Sequence, residues 1–128
     1  MDRQIITTTD APAVGAQFAL SQGLRIGSLL QTSGQVGQHP QTGELVEGGF
    51  AAQLRQTLAN VTAILDAGGA RLDDVLMMRV YVTDPADLAE MNRVYSEFMG
   101  AVKPPRTTIV VGLPGSFLVE IDALAVVK

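Results

Sequence analysis

The chain has 128 residues, of which 47% are hydrophobic and 17% are charged, with a formal net charge of −4 and no cysteine. This length and composition are typical of one globular domain, here residues 1–128, with an aliphatic core. Nucleic-acid binding needs clustered Lys and Arg, so the acidic balance argues against a nucleic-acid partner. The absence of cysteine excludes disulfides and thiolate metal sites. The apolar runs are too short to span a membrane, so no membrane partner is expected. From these features we expect a cytoplasmic protein.

The first part of the chain is predicted to form strands. Gln17–Leu20 and Leu24–Ile26 have the character of strand segments. Gly27-Ser28 is suited to a two-residue hairpin turn, because glycine tolerates a positive φ, and Leu29–Thr32 is the return strand. An open loop is expected from Val36 to Gly48.

The spacing of apolar residues predicts a helix over Phe50–Ala67, ended by Gly68-Gly69, where glycine can adopt the left-handed conformation of a cap. Its apolar stripe comprises Ala51, Leu54, Leu58, Val61 and Leu65. The polar residues expected around the rest of the helix are Gln53, Arg55, Gln56 and Asn60.

The second half of the chain repeats this alternation of strand and helix. A long strand is predicted over Asp74–Thr83, and Asp84-Pro85 is a strong signal for the start of a helix. The apolar face of that second helix comprises Leu88, Met91, Tyr95 and Phe98, with Asn92 at its edge. Two final strands are predicted over Arg106–Val111 and Phe117–Val127.

The order of these elements predicts an α+β fold in which two helices pack on one face of a mixed sheet. The other face of the sheet then needs cover. For a chain of this size, another copy of the chain is the simplest cover, so we expect an oligomer.

Few residues in the chain suggest chemistry. His39, the only histidine, stands beside Pro40 in a polar turn and is interpreted as a solvated loop residue, so no metal site is expected. In the last strand, alternation places Glu120 and Asp122 on an otherwise apolar face. Such carboxylates either pair with a cation or serve the function of the protein, and the pattern leaves both interpretations open.

Nine short segments spread over about residues 5–127 form an ordered set: Ala11-Pro12-Ala13, Thr32–Gln35, Thr42-Gly43-Glu44, Gln53–Asn60, Tyr81–Asp84, Asn92 with Tyr95, Pro105-Arg106-Thr107, Leu113-Pro114 and Val119–Ala123. Together they resemble the RidA/YjgF family of reactive-intermediate deaminases. The resemblance implies a chorismate-mutase-like α+β fold and a homotrimer with sites between subunits. It also implies hydrolysis of 2-enamino and 2-imino acids, such as 2-aminoacrylate, to 2-keto acids and ammonia, without any metal or organic cofactor.

The resemblance also assigns roles to individual residues. Arg106 matches the arginine that binds the substrate carboxylate, and its planar fork suits that task. Glu120 matches the acidic residue that handles the hydrolytic water. Ser33 and Gly34 match a segment of the pocket wall, and Asn92 matches a helix asparagine near the cleft.

Two positions of the expected substrate pocket depart from the family pattern. Phe18 stands where the family has a tyrosine, and Thr108 where it often has a cysteine. Other functions compatible with the sequence are a pathway-specific deaminase of aminoacrylate or aminomuconate intermediates, and a non-catalytic binder of small metabolites. A ribonuclease or translation inhibitor is a further alternative, against which the acidic charge argues.

Overall fold

A six-stranded mixed sheet forms the framework of the computed structural model, which describes all 128 residues. Its strands are β1 (Arg3–Ile6), β2 (Gly23–Ile26), β3 (Leu29–Thr32), β4 (Val75–Val82), β5 (Arg106–Val110) and β6 (Val119–Val126). They lie in the order β1-β2-β3-β6-β4-β5. Only β4 and β5 are parallel; the other neighbouring pairs are antiparallel.

Two helices, α1 (Gly49–Ala67) and α2 (Leu88–Met99), cover one face of this sheet. Two short 3-10 helices, Leu72–Asp74 and Pro85–Asp87, precede β4 and α2. The α+β fold with a mixed sheet and two helices, predicted from the order of the elements, is therefore confirmed. Neither helix is long and apolar enough to cross a lipid bilayer.

The ends of the helices follow the predicted signals. After α1 the left-handed residue is Gly69, with φ 89°, and the amide of Ala70 donates to the carbonyl of Leu65 at 2.8 Å. Before α2, the carboxylate of Asp84 accepts a hydrogen bond from the amide of Ala86 at 2.9 Å. The turn that follows Asp84 is 3-10 rather than α-helical.

The alternation of β6 separates the two faces of the sheet. Val119, Ile121, Ala123 and Ala125 are fully buried against the helices. The other residues of β6 point away from the helices, toward a face that no element of the chain covers. Exposed apolar side chains stand on that uncovered face in β1, β2, β3 and β6: Ile5, Ile26, Leu29 and Val126.

Two expectations from the sequence are wrong, and one strand was not predicted. Gln17–Leu20 is not a strand but a turn region, in which the amide of Phe18 donates to the carbonyl of Gly15 at 3.0 Å. Arg3–Ile6 forms an edge strand that the sequence pattern did not indicate. Gln53 and Asn60 lie on the buried side of α1 rather than among its exposed residues.

Candidate functional site

Arg106 begins β5, and its side chain extends over α2. Its Nη2 donates a hydrogen bond to Asn92 Oδ1 at 2.6 Å, and its Nη1 lies 3.8 Å from the sulfur of Met91. The guanidinium carbon lies 4.7 Å from the centre of the Tyr95 ring, which is within the range of a cation–π contact. Three residues of one helix therefore hold this guanidinium.

No carboxylate neutralises Arg106. The salt bridges of the chain use Arg55, Arg71, Arg79 and Arg93 and do not include Arg106. Since Arg106 is also exposed, its positive charge and its remaining N–H donors are available to an anion.

Thr108 follows Arg106 by two residues and therefore shares its face of the sheet. Its hydroxyl is buried without a hydrogen-bond partner, as is the hydroxyl of Tyr95. We refer to Met91, Asn92, Tyr95, Arg106 and Thr108 as the Arg106 cluster.

Glu120 lies in β6 on the face opposite the helices, directly across from Tyr81 of β4. Burial raises the pKa of Glu120 above its ordinary value, and the nearby charge of Asp122 raises it further. Glu120 forms no salt bridge, whereas Asp122 pairs with Arg79 at 2.8 Å. The two interpretations that the sequence left open thus divide between the two carboxylates: Asp122 is a structural ion-pair partner and Glu120 is unpaired.

The backbone of Gly34 lies against the carboxylate of Glu120. Gly34 also lines a cleft of about 210 Å³ together with Phe18, whose side chain is exposed. The hydroxyl of neighbouring Ser33 donates to the carbonyl of Ser21 at 2.6 Å, so its proton is already engaged within the chain. We refer to Phe18, Ser33, Gly34 and Glu120 as the Glu120 cluster.

The two clusters lie on opposite faces of the sheet. Arg106 pairs with Met78 of β4, a fully buried residue on the helix-covered face. Glu120 pairs with Tyr81, which alternates to the uncovered face. One chain therefore assembles the predicted site residues as two separate groups and does not bring Arg106 and Glu120 together.

Two buried side-chain amides support the loops beside the Glu120 cluster. The sequence pattern predicted both for the exposed side of α1. Gln53 donates to the carbonyl of Ser116 at 3.2 Å and accepts from the amide of Leu118 at 2.9 Å. Asn60 donates to the carbonyls of Val36 and Gln38 at 3.1 and 2.9 Å. The signal for such a role was their position: each directly precedes a residue of the apolar stripe, Leu54 and Val61, and buried amides require partners.

The chain offers no cluster of three or more His, Cys, Asp or Glu side chains that would hold a metal ion. His39 is exposed in its turn, where its Nδ1 accepts from the amide of Gln41 at 3.2 Å. The available chemistry is therefore that of a free guanidinium, a carboxyl group of raised pKa and a partly apolar cleft.

Comparison with known proteins gives a consistent result. Residues 8–127 match the family described as Endoribonuclease L-PSP. A RutC family protein of Pyrococcus horikoshii is 41% identical over 124 residues, which cover 96% of this chain and 97% of that protein. The 2-iminobutanoate/2-iminopropanoate deaminase of Escherichia coli strain K12 is 39% identical over 125 residues, covering 94% and 95%.

Comparison of the structure with solved structures also finds proteins of this family. The crystal structure of E. coli TdcF with bound serine superposes with a TM-score of 0.89 at 39% identity, covering 98% of this chain and 99% of TdcF. With the sequence matched over nearly its full length and the fold shared, the chain belongs to the RidA/YjgF family, also described as the endoribonuclease L-PSP family.

Proposed function

We propose that this protein is a hydrolytic deaminase that converts reactive 2-enamino and 2-imino acids, of the 2-aminoacrylate type, into 2-keto acids and ammonia. The observation that carries the proposal is the state of Arg106, a charged guanidinium held by Asn92 and the ring of Tyr95 with no carboxylate of the chain to neutralise it. A planar substrate carboxylate fits the donors that remain on such a guanidinium.

The relatives support the same substrate class. One is named a 2-iminobutanoate/2-iminopropanoate deaminase, and TdcF was crystallised with serine. Serine shares with a 2-imino acid a carboxylate next to a carbon that carries nitrogen. Binding of such a ligand requires the carboxylate-binding group that Arg106 supplies.

The complete site is proposed to form between neighbouring subunits of a homotrimer. Within one chain the Arg106 cluster and the Glu120 cluster lie on opposite faces of the sheet, so a substrate cannot contact both. The uncovered face also exposes large apolar side chains, with Ile5 56% and Leu29 52% exposed. Exposed apolar surface of this kind is typical of a subunit interface.

Hydrolysis then needs three tasks from the site. Arg106 of one subunit binds the carboxylate. Glu120 of the neighbouring subunit accepts a proton from a water molecule while the oxygen of that water attacks the imine carbon. The π electrons of the C=N bond move to nitrogen, which takes up the proton that Glu120 holds. Glu120 then transfers the proton of the new hydroxyl group to nitrogen, the C–N bond breaks to release ammonia, and the C–O bond becomes the C=O bond of the keto acid.

The raised pKa of Glu120 suits this proton transfer, because a carboxyl group closer to neutrality both accepts and returns a proton more readily. Imines hydrolyse slowly in water without help. Holding the carbon next to an oriented water is therefore sufficient, and no covalent nucleophile is needed.

The test is release of keto acid and ammonia from freshly generated 2-imino acids of varied side chain, after subtraction of spontaneous hydrolysis. Arg106→Ala should reduce kcat/KM by at least about 10- to 100-fold, because hydrogen bonds to a charged group contribute about 1.5–3 kcal/mol. Arg106→Lys should recover little, since an ammonium does not reproduce the planar fork.

Arg93→Ala is the matched control, because Arg93 lies beside Asn92 on α2 but pairs at the surface with Glu90 and Glu97. It should retain activity. An Arg106→Ala variant with activity close to that of the natural protein would contradict the assignment of Arg106. A folded natural protein that binds keto acids without accelerating hydrolysis would instead favour a non-catalytic metabolite binder.

A further inference from the structure

The ring of Tyr95 is one of three contacts of the Arg106 guanidinium, beside Met91 and Asn92. The guanidinium carbon lies 4.7 Å from the centre of the ring, and Tyr95 is only 7% exposed, so the ring is fixed by the core beneath it. The hydroxyl of Tyr95 is buried and makes no hydrogen bond. The contact with Arg106 therefore depends on the aromatic face and not on the hydroxyl.

The contacts of Arg106 orient the guanidinium and leave its charge intact. Asn92 offers a neutral oxygen, and Tyr95 offers the face of a neutral phenol, since burial raises the pKa of Tyr95. The guanidinium carbon lies over the ring, so the ring limits where the guanidinium can lie, while the hydrogen bond from Nη2 to Asn92 limits its rotation.

The neighbouring arginines show a different arrangement. Arg79 pairs with Asp122 at 2.8 Å, and Arg93 pairs with both Glu90 and Glu97 at the surface of α2. A carboxylate partner would occupy the same donors that a substrate carboxylate needs. The aromatic face fixes Arg106 without that competition.

We propose that Tyr95 is a positioning residue, whose ring holds the plane of the Arg106 guanidinium in the orientation that binds a substrate carboxylate through two hydrogen bonds. The inference rests on the proposed function and extends it by one residue. Tyr95 acts through Arg106 and touches neither the imine nor the water.

The experiment compares Tyr95→Phe, which keeps the ring, with Tyr95→Leu, which removes it. The first readout is kcat and KM for a 2-imino acid. The second is the inhibition constant of pyruvate and of pyruvamide, which carries an uncharged amide where pyruvate carries the carboxylate. Thermal unfolding and light scattering verify that each variant is folded and assembled like the natural protein.

Tyr95→Leu should raise KM and the inhibition constant of pyruvate by about 3- to 30-fold, the range between an exposed cation–π contact and one that a bound ligand desolvates, with a smaller change in kcat. The inhibition constant of pyruvamide should stay within about twofold, and Tyr95→Phe should resemble the natural protein in every readout. A purely structural role of Tyr95 predicts an equal loss for pyruvate and pyruvamide, and that result would overturn the proposal.

A measurement on the natural protein covers the case in which Tyr95→Leu does not fold. The side-chain protons of Arg106 should show an upfield ring-current shift in the NMR spectrum, retained in Tyr95→Phe; its absence would overturn the proposal. Failure of the proposed function gives a different result. A chain that hydrolyses no imino acid, but loses pyruvate affinity in Tyr95→Leu, keeps the positioning role and loses the deaminase assignment.

Discussion

The backbone of Gly34 lies so close to the carboxylate of Glu120 that a β-carbon at position 34 would stand 2.9 Å from Glu120 Cδ. The glycine is not required by its backbone conformation, because its φ is not positive. What the position requires is the absence of a side chain. The carboxylate of Glu120 occupies the space that any other residue would fill.

Gly34→Ala should therefore displace the Glu120 carboxylate and leave the fold largely intact. The clash is with the far end of a flexible side chain, so the free energy of unfolding should fall by less than the roughly 3 kcal/mol that an added group can cost in a packed core. We expect kcat for imino-acid hydrolysis to fall by at least about 10-fold, since a displaced proton acceptor loses its contact with the water.

A double variant gives the control for Gly34→Ala. In a Glu120→Ala background the clash is absent, so adding Gly34→Ala should reduce activity no further. Additive losses would show that Gly34 acts on the reaction by a route other than Glu120.

The raised pKa of Glu120 predicts the pH dependence of the reaction. A carboxylate that accepts a proton must be ionised, so kcat/KM should fall as the pH drops through the pKa of Glu120. An ordinary glutamate has a pKa of about 4.3. Because burial and the charge of Asp122 raise the pKa of Glu120, the fall in kcat/KM should begin at a higher pH than for an ordinary glutamate. Glu120→Gln should have low activity that lacks this acidic limb.

Asp122→Asn tests the second cause of the shift. Removing the negative charge of Asp122 lowers the pKa of Glu120, and it also frees the positive charge of Arg79, which acts in the same direction. The acidic limb of kcat/KM should move to lower pH. A limb that stays in place, or moves to higher pH, would show that another group titrates there.

The elements that the sequence predicted well are those with strong local signals. Gly27 adopts φ 60° in the hairpin between β2 and β3, as the Gly-Ser pair indicated. The stripe of α1 and its termination at Gly69 are likewise local features. The strand predicted at Gln17–Leu20 failed because four residues of suitable composition do not form a strand without a neighbouring strand to pair with.

The division of the site into two clusters could not be predicted from local pattern. Alternation places Glu120 on one face of β6, but the face occupied by Arg106 depends on how β5 pairs with β4, which is a long-range contact. The structural use of Asp122 is of the same kind, since its partner Arg79 is 43 residues away in the chain. The residue types indicated Arg106, Glu120 and Asp122 as candidates for the site. Only the pairing of the strands shows which face each occupies and that Asp122 is used in an ion pair.

Mixing two impaired variants tests whether the clusters meet between subunits. Arg106→Ala lacks the carboxylate-binding group and Glu120→Gln lacks the proton acceptor, so each alone should have low activity. If the two proteins are unfolded and refolded together, random trimers should contain intact sites formed by one subunit of each kind. In a cyclic trimer about a quarter of all sites then regain both natural residues.

The control is the same mixture without refolding, in which subunits have not exchanged. Activity that reaches about a quarter of the natural value only after exchange would support a site shared between subunits. If mixed trimers of verified composition regain no activity, the site is not shared between subunits as proposed. Either both residues then act in a site of one subunit, or one of them takes no part in the reaction. Light scattering that shows a stable monomer at micromolar concentration would contradict the trimer itself.

The cleft beside Gly34 carries the last prediction, which concerns substrate preference. Phe18, Leu20, Val14 and Val36 line this cleft of about 210 Å³, and Phe18 is 58% exposed. A tyrosine at position 18, as in the family pattern, would add a hydroxyl for a small polar substrate or a water. With phenylalanine this part of the wall is apolar, and larger apolar substrate side chains gain about 25 cal/mol for each Å² that they bury against it.

We therefore expect higher kcat/KM for imino acids derived from leucine or methionine than for iminopropionate. Phe18→Tyr should shift the ratio of kcat/KM toward the small substrate by roughly fivefold, since one hydrogen bond contributes about 1 kcal/mol. The competing interpretation is that Phe18 only packs against a neighbouring subunit, in which case the ratio is the same in both proteins. The measurement is kcat/KM across a series of side chains for the natural protein and for Phe18→Tyr, and an unchanged ratio would assign Phe18 to packing alone.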